Sequence, residues 1–232
     1  MVEKMVDIIC PVHNAPEFLR MCVGSLYLYT DPKEFNLILV DDNSDEETKD
    51  YLAQLEAGGW AKVLHTPGQS FFTRTCNLGI HESKAPYIVL MNSDITVTKG
   101  WLEGLLSCVE EWHAGIVGCK LIGETGEIAH AGAFGWGFHY GMNEPNVSYF
   151  EEREVEWVTG ALMLIRRAVI DTVGYLDDRY VHVGSDRDLC HRAKNYGFKI
   201  VYSPVTLIHW SERSKDEAAS LMIEKQHKEG MW

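Results

Sequence analysis

Short apolar runs alternate with helix-like segments through the first half of the sequence, and this alternation limits the folds that the chain can adopt. The runs are VDIICPV, NLILV, AKVLH, YIVLM and GIVGC. Between the first two, Leu19, Cys22 and Leu26 recur at helical spacing. Asn14 is the expected cap of that helix, with Pro16 in its first turn. Runs this apolar are typical of strands covered on both faces, so we predict a mostly parallel sheet with helices on both sides.

Length and composition are those of a globular protein. The chain has 232 residues, of which 46% are hydrophobic and 24% charged, and we expect a single domain over residues 1–232. The formal net charge of −13 argues against a nucleic-acid-binding protein and against electrostatic attachment to an anionic membrane. A phosphorylated ligand remains compatible with this charge because a bound divalent cation inverts the local sign.

The sequence also predicts a cytoplasmic protein without an integral membrane segment. Its start, MVEKMVDIICPVHN, lacks the hydrophobic region and cleavage site of a signal peptide. No apolar run approaches the roughly 20 residues of a membrane span. The six cysteines are scattered without a Cys-x-x-Cys pair, and several lie in apolar runs. Buried thiols in a reducing compartment are therefore favoured over disulfides or a zinc cluster.

The second half of the sequence changes character. Residues 130–150, HAGAFGWGFHYGMNEPNVSYF, are rich in glycine and aromatic residues and show no clear period. This segment is either a long irregular loop or hairpin that packs its own rings or a mobile wall for a second substrate, since loops of this length are usually functional or disordered. A strand in EVEWVTGALMLIRR, a short helical turn and a strand in KIVYSP follow, and a helix is expected from Ser214 onward.

Polar residues stand where two of the predicted strands end. Asp41 and Asp42 follow NLILV, whereas Asn92, Ser93 and Asp94 follow YIVLM. Each group alone is compatible with a polar turn, but the carboxyl ends of parallel strands share one edge, and such sheets bind ligands there. Carboxylate oxygens suit hard divalent cations. We therefore expect one shared site at this edge, with Asp94 as a cation ligand.

The segment GSDRDLCHRAKNYG has two carboxylates where an amphipathic helix is predicted to begin. Ser185 and Asp188 have the spacing of a capping box, in which the side chains satisfy free amides at the helix start. Asp186 lies between them. The residues alone leave open whether these carboxylates only cap the helix or whether one of them takes part in chemistry.

Six stretches keep a common order and spacing from about Ile8 to His209. They are CPVHNAPEFLRMCVGSL, LILVDDNSDEET, RTCNLGI, YIVLMNSDITV, VTGALMLIRR and GSDRDLCHRAKNYGFKIVYSP. Together they resemble family 2 glycosyltransferases of the GT-A fold. The resemblance implies a Rossmann-like α/β fold with a small antiparallel part on the acceptor side. It also implies inverting transfer of a sugar from a UDP- or dTDP-linked donor to an acceptor hydroxyl, in glycan or polysaccharide synthesis.

The resemblance also implies a role for individual residues. The expected nucleotide site comprises Pro11, His13, Asn14, Asp41, Asp42, Arg74, Asn77, Asn92 and Ser93. A Mn²⁺ or Mg²⁺ ion is expected on Asp94 and His209, with Asn92 standing where the Asp-x-Asp motif has its first carboxylate. The expected contacts of the donor or acceptor sugar are Gly160, Ala161, Trp136 and Asp188. Residues 1–118 would hold the nucleotide-sugar, residues 119–212 the acceptor, and residues 213–232 would form a helical tail.

Asp186 is the catalytic base that the resemblance implies. The family's base belongs to an acidic pair at the start of a helix, and Ser185 stands here at the position of the first acid. One inverting displacement would need two groups. A base has to lie within hydrogen-bond reach of the acceptor hydroxyl, and a metal ion has to lie at the leaving diphosphate. For His209, a partly buried histidine beside Trp210 is the alternative to a metal ligand.

Two other functions remain open from the sequence. A sugar nucleotidyltransferase of a related fold usually needs a glycine-rich loop with Arg or Lys after the first strand, and PVHNAPEFL contains none of these residues. A nucleotide-sugar-binding protein without turnover is compatible with the substitutions at Asn92 and Ser185. The expected partners are a nucleotide-sugar and a carbohydrate, lipid-linked or protein acceptor, without nucleic acid. The sequence does not indicate the oligomeric state.

Overall fold

A computed structural model describes residues 4–135 and 138–210. Its strands are β1 (Val6–Val12), β2 (Phe35–Asp41), β3 (Lys62–His65), β4 (Tyr87–Met91), β5 (Ile95–Thr96), β6 (Ala114–Ile122), β7 (Ile128–His130), β8 (Ala133–Phe134), β9 (Phe138–His139), β10 (Arg153–Glu154), β11 (Leu162–Arg166) and β12 (Lys199–His209). Its helices are α1 (Pro16–Tyr29), α2 (Glu46–Ala57), α3 (Phe71–Glu82), α4 (Trp101–Glu111), α5 (Arg167–Val173) and α6 (Ser185–Asn195). The predicted sugar contact Trp136 and the predicted helical tail of residues 213–232 lie outside the described residues.

Ten of these strands form one sheet. Eight follow the order β10-β12-β6-β11-β4-β1-β2-β3, while β5 pairs with β12 and β7 pairs with β6. The pairs β1–β2, β1–β4 and β2–β3 are parallel, as is the pair β6–β12. Strand β11 lies between β4 and β6 and runs antiparallel to both. The mostly parallel sheet expected from the sequence is confirmed, with the antiparallel strands added on the side of β11 and β12.

Helices cover both faces of this sheet, as predicted. Apolar side chains of α1, α2 and α4, among them Leu19, Leu52 and Leu105, pack on one face. Helices α3, α5 and α6 cover the other face through residues such as Ile80 and Leu189. Because the central strands are buried on both sides, their sequences form continuous apolar runs instead of alternating apolar and polar residues.

The start of α1 differs from the prediction. The residue before the helix is Ala15, which has a left-handed backbone with φ of 55°, and no side chain caps the helix. Asn14 instead accepts a hydrogen bond of 2.7 Å from the backbone N–H of Asp45 and so connects the end of β1 to the start of α2. The prediction of Asn14 as the cap of α1 is therefore wrong, because a tertiary partner takes its side chain.

One strand predicted in the second half is two separate, shorter strands. EVEWVTGALMLIRR contains part of β10 and all of β11, separated by residues 155–161. Since β10 pairs with β12 whereas β11 pairs with β4 and β6, the chain has to cross the sheet between them, and the predicted single strand is wrong. Within residues 130–150, β8 and β9 form a two-stranded antiparallel hairpin. Among the described helices, none combines the length and the apolar character needed to cross a membrane.

A buried carboxylate near the start of β1 joins three parts of the chain. Asp7 is 3% exposed and accepts hydrogen bonds from the Asn36 amide at 2.7 Å and the Ser83 hydroxyl at 2.8 Å. The backbone N–H groups of Lys84 and Ala85 donate to the same carboxylate at 2.8 and 2.9 Å. Burial acts to raise the pKa of Asp7, but these hydrogen bonds outweigh it and leave the pKa below its usual value.

Asp7→Asn should destabilise the fold by about 2 kcal/mol near neutral pH, because an amide cannot accept all of these hydrogen bonds. Since the folded pKa is lowered, the stabilisation by Asp7 is present above its unfolded pKa of about 3.9 and is lost as the pH falls through the folded value. In urea unfolding, the free energy of unfolding of Asp7→Asn should therefore lie furthest below that of the wild type near neutral pH. The difference should shrink as the pH falls into the acid range. The exposed Asp50→Asn in α2 is the control. Equal losses in both variants would contradict this role of Asp7.

Candidate functional site

A cleft of about 490 Å³ opens at the carboxyl ends of the parallel strands. The predicted site residues in its wall are Pro11, His13, Asp42, Asn92, Ser93, Asp94, Gly160, Ala161, Asp186 and His209. The predicted residues that do not belong to this wall are Asn14, Asp41, Arg74, Asn77 and Asp188. The polar residues after β2 and β4 thus meet in one cleft, to which the turn before β11 and the start of α6 also contribute.

The carboxylate of Asp42 is held by the loop that leads into α3. It accepts hydrogen bonds from the N–H groups of Ser70 and Phe71 at 2.6 and 2.8 Å, and from the Thr66 hydroxyl at 3.0 Å. Ser70, which precedes α3, makes no side-chain cap of its own. Asp42 therefore satisfies free amides at the start of α3 from outside the helix and fixes this loop as part of the cleft wall.

The neighbouring carboxylate of Asp41 lies behind the wall. Asp41 is 2% exposed, and its Oδ1 accepts a hydrogen bond of 3.0 Å from the N–H of Ser44. Its Oδ2 is 3.0 Å from Nδ1 of His65. These contacts join the end of β2 to the end of β3, so in this structure the Asp41 carboxylate supports the sheet edge and a contact with a base stays a prediction.

Two predicted nucleotide contacts on α3 also face away from the cleft wall. The Nδ2 of Asn77 donates to the Leu176 carbonyl at 2.8 Å, and its Oδ1 accepts from the Leu176 N–H at 3.0 Å. Arg74 is exposed, and its Nε is 3.7 Å from Oδ2 of Asp178. Asn77 and Arg74 therefore hold the segment that precedes α6, and their contact with a nucleotide also stays a prediction.

The end of β4 offers an oxygen that suits a divalent cation. Asp94 is 4% exposed, and its Oδ1 is buried without a hydrogen-bond partner. The Nε2 of His209 is 3.2 Å from that oxygen, which is ion-pair distance. A buried carboxylate oxygen is costly unless a positive group neutralises it, and Mg²⁺ and Mn²⁺ prefer such oxygens. The two side chains therefore fit a cation.

The cation would need further ligands from a bound molecule. Within residues 4–135 and 138–210, no group of three or more His, Cys, Asp or Glu side chains could hold a metal ion by itself. Mg²⁺ is commonly held by one or two carboxylates together with phosphate oxygens of a substrate. Asp94 and His209 match such a partial site, which a phosphorylated ligand would complete.

Asp186 holds its carboxylate against the turn that precedes β11. Its Oδ2 accepts a hydrogen bond from the N–H of Gly160 and its Oδ1 one from the N–H of Arg187, both at 2.8 Å. A β-carbon on residue 160 would lie 2.9 Å from Cζ of Phe72 and 3.2 Å from Cβ of Asp186. Only glycine permits so close an approach, and the backbone N–H of Gly160 then orients the carboxylate within the cleft.

The structure does not contain the predicted capping box of α6. Gly184 precedes the helix, and no side-chain hydrogen bond caps it. The buried hydroxyl of Ser185 accepts a hydrogen bond of 2.9 Å from Oγ1 of Thr73, and Asp188 forms an ion pair of 2.7 Å with Arg192. The capping-box prediction is therefore wrong, because Ser185 and Asp188 both find other partners.

Two histidines in the cleft wall are absent from the predicted site residues. His130 ends β7 and His139 ends β9, and their Nδ1 atoms are 2.8 Å apart. Burial, with His139 as a further cause, lowers the pKa of His130 to about 3. Burial also lowers the pKa of His139, although the charge of Asp186 acts to raise it. Both residues lie in the aperiodic segment 130–150, so no period or motif signals that they meet.

The sequence matches a known protein family. Residues 7–174 match the family described as "Glycosyl transferase family 2". This match covers more than half of the chain, and the chain therefore belongs to glycosyl transferase family 2. Asp186 and His209 lie beyond the matched residues, so their roles depend on the geometry of the cleft.

Similar proteins include two curated relatives and a solved structure. The chain is 30% identical to the O-antigen biosynthesis protein RfbC of Myxococcus xanthus, over 90% of this chain and 18% of that protein. It is 28% identical to the pre-mycofactocin glycosyltransferase of Mycobacterium tuberculosis, over 90% of this chain and 43% of that protein. A crystal structure of GalNAc-T7 with UDP, GalNAc and Mn²⁺ matches with a TM-score of 0.75 at 16% identity, over 90% of this chain and 43% of that one. The GT-A fold is thereby confirmed, and the chain spans less than half the length of each of these proteins.

Gly160→Ala should destabilise the protein by about 1–3 kcal/mol, because the new methyl group would overlap Phe72 and push Asp186 away. Thermal unfolding measures this loss. Gly24→Ala in α1 is the matched control, since nothing lies within 4 Å of a β-carbon at that position. A helical Gly→Ala change there should be neutral or stabilising by up to about 1 kcal/mol. Equal melting temperatures of the two variants would contradict the close approach of residue 160 to α6.

Proposed function

We propose that this chain catalyses inverting transfer of a sugar from a nucleoside-diphosphate sugar to an acceptor hydroxyl, in the synthesis of a glycan or polysaccharide. The observation that carries this proposal is that Asp186 and the Asp94–His209 pair line the same cleft. Displacement of a diphosphate by a hydroxyl needs a group that accepts the hydroxyl proton and positive charge near the leaving group. In the cleft, the Asp186 carboxylate could accept the hydroxyl proton, and the partial cation site of Asp94 and His209 could supply the positive charge.

The donor nucleotide would occupy the side of the cleft formed by residues 1–118. Pro11, His13 and Asp42 line that side, together with Asn92 and Ser93 after β4. The Nδ1 of His13 is 2.8 Å from the carbonyl oxygen of Asp42, and this contact holds the ends of β1 and β2 together. UDP is the favoured nucleotide because the matching GalNAc-T7 structure contains UDP. A dTDP-linked donor is the alternative implied by the sequence motifs.

A Mn²⁺ or Mg²⁺ ion would be held by Oδ1 of Asp94 and Nε2 of His209. When bound, the ion supplies Lewis-acid stabilisation of the charge that develops on the departing diphosphate. Asn92 contributes no charge, so Asp94 provides the carboxylate at the end of β4. The GalNAc-T7 structure contains Mn²⁺, which supports a divalent ion without deciding between the two metals.

Asp186 would accept the proton of the attacking hydroxyl. The N–H of Gly160 already holds the Asp186 carboxylate in one orientation before an acceptor binds. A single displacement assisted by one base inverts the configuration of the anomeric carbon. Residues 119–212 would form the acceptor wall, with Gly160 and Ala161 at its boundary to the donor. A carbohydrate, a lipid-linked molecule and a protein are the alternative acceptors, and a contact of Asp188 with either sugar stays a prediction.

Asp186→Asn should lower transfer by about 10²–10⁴-fold, the usual contribution of a general base, while UDP still binds. The assay is transfer from UDP-glucose, UDP-galactose and UDP-N-acetylglucosamine to a panel of p-nitrophenyl glycosides, with UDP binding measured by calorimetry. Asp171→Asn, an exposed position of α5, is the control and should transfer like the wild type.

Two results of this assay would contradict the proposal. Near-normal transfer by Asp186→Asn would exclude Asp186 as the base. UDP binding by the wild type without transfer or donor hydrolysis would instead favour a nucleotide-sugar-binding protein.

Mn²⁺ and UDP together should stabilise the protein more than either alone, because Asp94 and His209 make an incomplete cation site. A ligand at about a hundred times its Kd stabilises by about 2.7 kcal/mol, which a melting curve detects. Asp94→Asn should abolish the additional thermal stabilisation that requires both Mn²⁺ and UDP, whereas Asp171→Asn should keep this stabilisation. A gain of the same size in Asp94→Asn would show that the ion binds elsewhere.

A further inference from the structure

The acceptor side of the cleft contains a pair of histidines to which the proposed chemistry assigns no role. His130 and His139 line the cleft together with Asp186. Their Nδ1 atoms are 2.8 Å apart, and the two rings are nearly perpendicular, at 83°. The ring of Trp157 contacts both, with centroid distances of 5.9 Å to His130 and 4.9 Å to His139. The pair is therefore held in a fixed geometry.

A backbone amide determines which nitrogen of His130 carries the proton. The N–H of Thr159 donates a hydrogen bond of 3.3 Å to Nε2 of His130, so this nitrogen must be an acceptor. The ring is buried, and burial lowers its pKa to about 3. At neutral pH His130 is therefore uncharged, and its one proton lies on Nδ1.

The tautomer of His130 in turn determines that of His139. Nδ1–H of His130 donates to Nδ1 of His139, which must accept and therefore carries no proton. The proton of neutral His139 then lies on Nε2, on the other side of the ring. Protonation of His139 would bring two N–H groups face to face, and burial opposes it too. The groups that face His139 are His130, Trp157 and Asp186, and only Asp186 favours the charged form.

We propose that His139 is an acceptor-binding residue, a neutral imidazole that presents Nε2–H to a sugar hydroxyl next to the hydroxyl that attacks. This inference rests on the proposed transfer reaction. The attacking oxygen gives its proton to Asp186 and needs a lone pair for the anomeric carbon, so a donor aimed at it would oppose the reaction. A neutral hydrogen-bond donor beside Asp186 suits the hydroxyl oxygen next to the attacking one on the acceptor sugar. The hydrogen bond would fix the position of that neighbouring oxygen.

The surroundings of His139 also fit a carbohydrate acceptor. The cleft that His139 lines also contains the aromatic side chains of Phe71 and Phe72 and the apolar side chains of Leu121 and Met142. Binding sites for small organic molecules typically combine apolar and aromatic surfaces with a few oriented polar groups. The cleft therefore combines aromatic and apolar surface with one oriented N–H donor, which is the combination that a sugar ring with several hydroxyls requires.

The tautomers can be tested on the wild-type protein without any substrate. Long-range ¹H–¹⁵N correlation spectra distinguish Nδ1–H from Nε2–H imidazoles, and His139→Gln and His130→Gln assign the signals. We expect Nδ1–H for His130 and Nε2–H for His139 at about pH 8, and a pKa of His139 below the value of about 6.5 that a free histidine has. Nδ1–H on His139, or titration of His139 with an ordinary pKa, would overturn the proposal.

The acceptor role is tested with the p-nitrophenyl glycoside that the wild type glycosylates. His139→Phe keeps a ring against Trp157 but loses the donor, and should raise the acceptor KM roughly tenfold with little change in kcat. His139→Gln, whose amide nitrogen stands near the place of Nε2, should recover much of that loss. Equal acceptor KM values for wild type and His139→Phe would overturn the role, as would equal losses in the two variants. Absence of both transfer and donor hydrolysis by the wild type would refute the proposed function, while the spectra would still decide the tautomers.

Discussion

The pairing of β11 with β4 is the constraint on which the candidate site depends. Leu162 lies opposite Met91, so the turn before β11 meets the carboxyl end of β4. The N–H of Asn92 donates to the carbonyl of Ala161 at 2.9 Å and extends this pairing by one more contact. Had β11 run parallel to its neighbours, the turn would lie at the opposite edge. The antiparallel strand therefore brings Gly160 to Asp186 and forms one side of the cleft at the carboxyl ends of the parallel strands.

Electrostatics explains why a cation belongs to the proposed chemistry. A nucleoside diphosphate would bring negative charge to a cleft that already contains Asp42, Asp94 and Asp186, in a chain of net charge −13. The Asp42 carboxylate is neutralised in part by the amides at the start of α3, whereas Oδ1 of Asp94 has no hydrogen bond. A divalent ion on Asp94 would add positive charge beside this buried oxygen and would offset the negative charge of a bound phosphate.

The sequence predicts the sheet and its edge better than the details of the cleft. β1 and β4 occupy the residues of VDIICPV and YIVLM, because strands buried on both faces leave a strong apolar signal. The predicted helix caps are wrong, because Asn14 and Ser185 bond to Asp45 and Thr73, which lie far along the chain. Local spacing cannot reveal such partners. Local spacing also does not reveal the contact between His130 and His139, because it forms only when β7 and the β8–β9 hairpin pack together.

The stereochemistry of the first product tests the account most directly. Proton NMR can follow the anomeric signals while the wild type, with Mg²⁺, consumes UDP-glucose, UDP-galactose or UDP-N-acetylglucosamine, whose sugars are α-linked. One displacement assisted by Asp186 predicts that the β-anomer appears first, in the glycoside product or in the free sugar when water is the acceptor. Initial release of the α-anomer would contradict a single displacement and with it the assignment of one base.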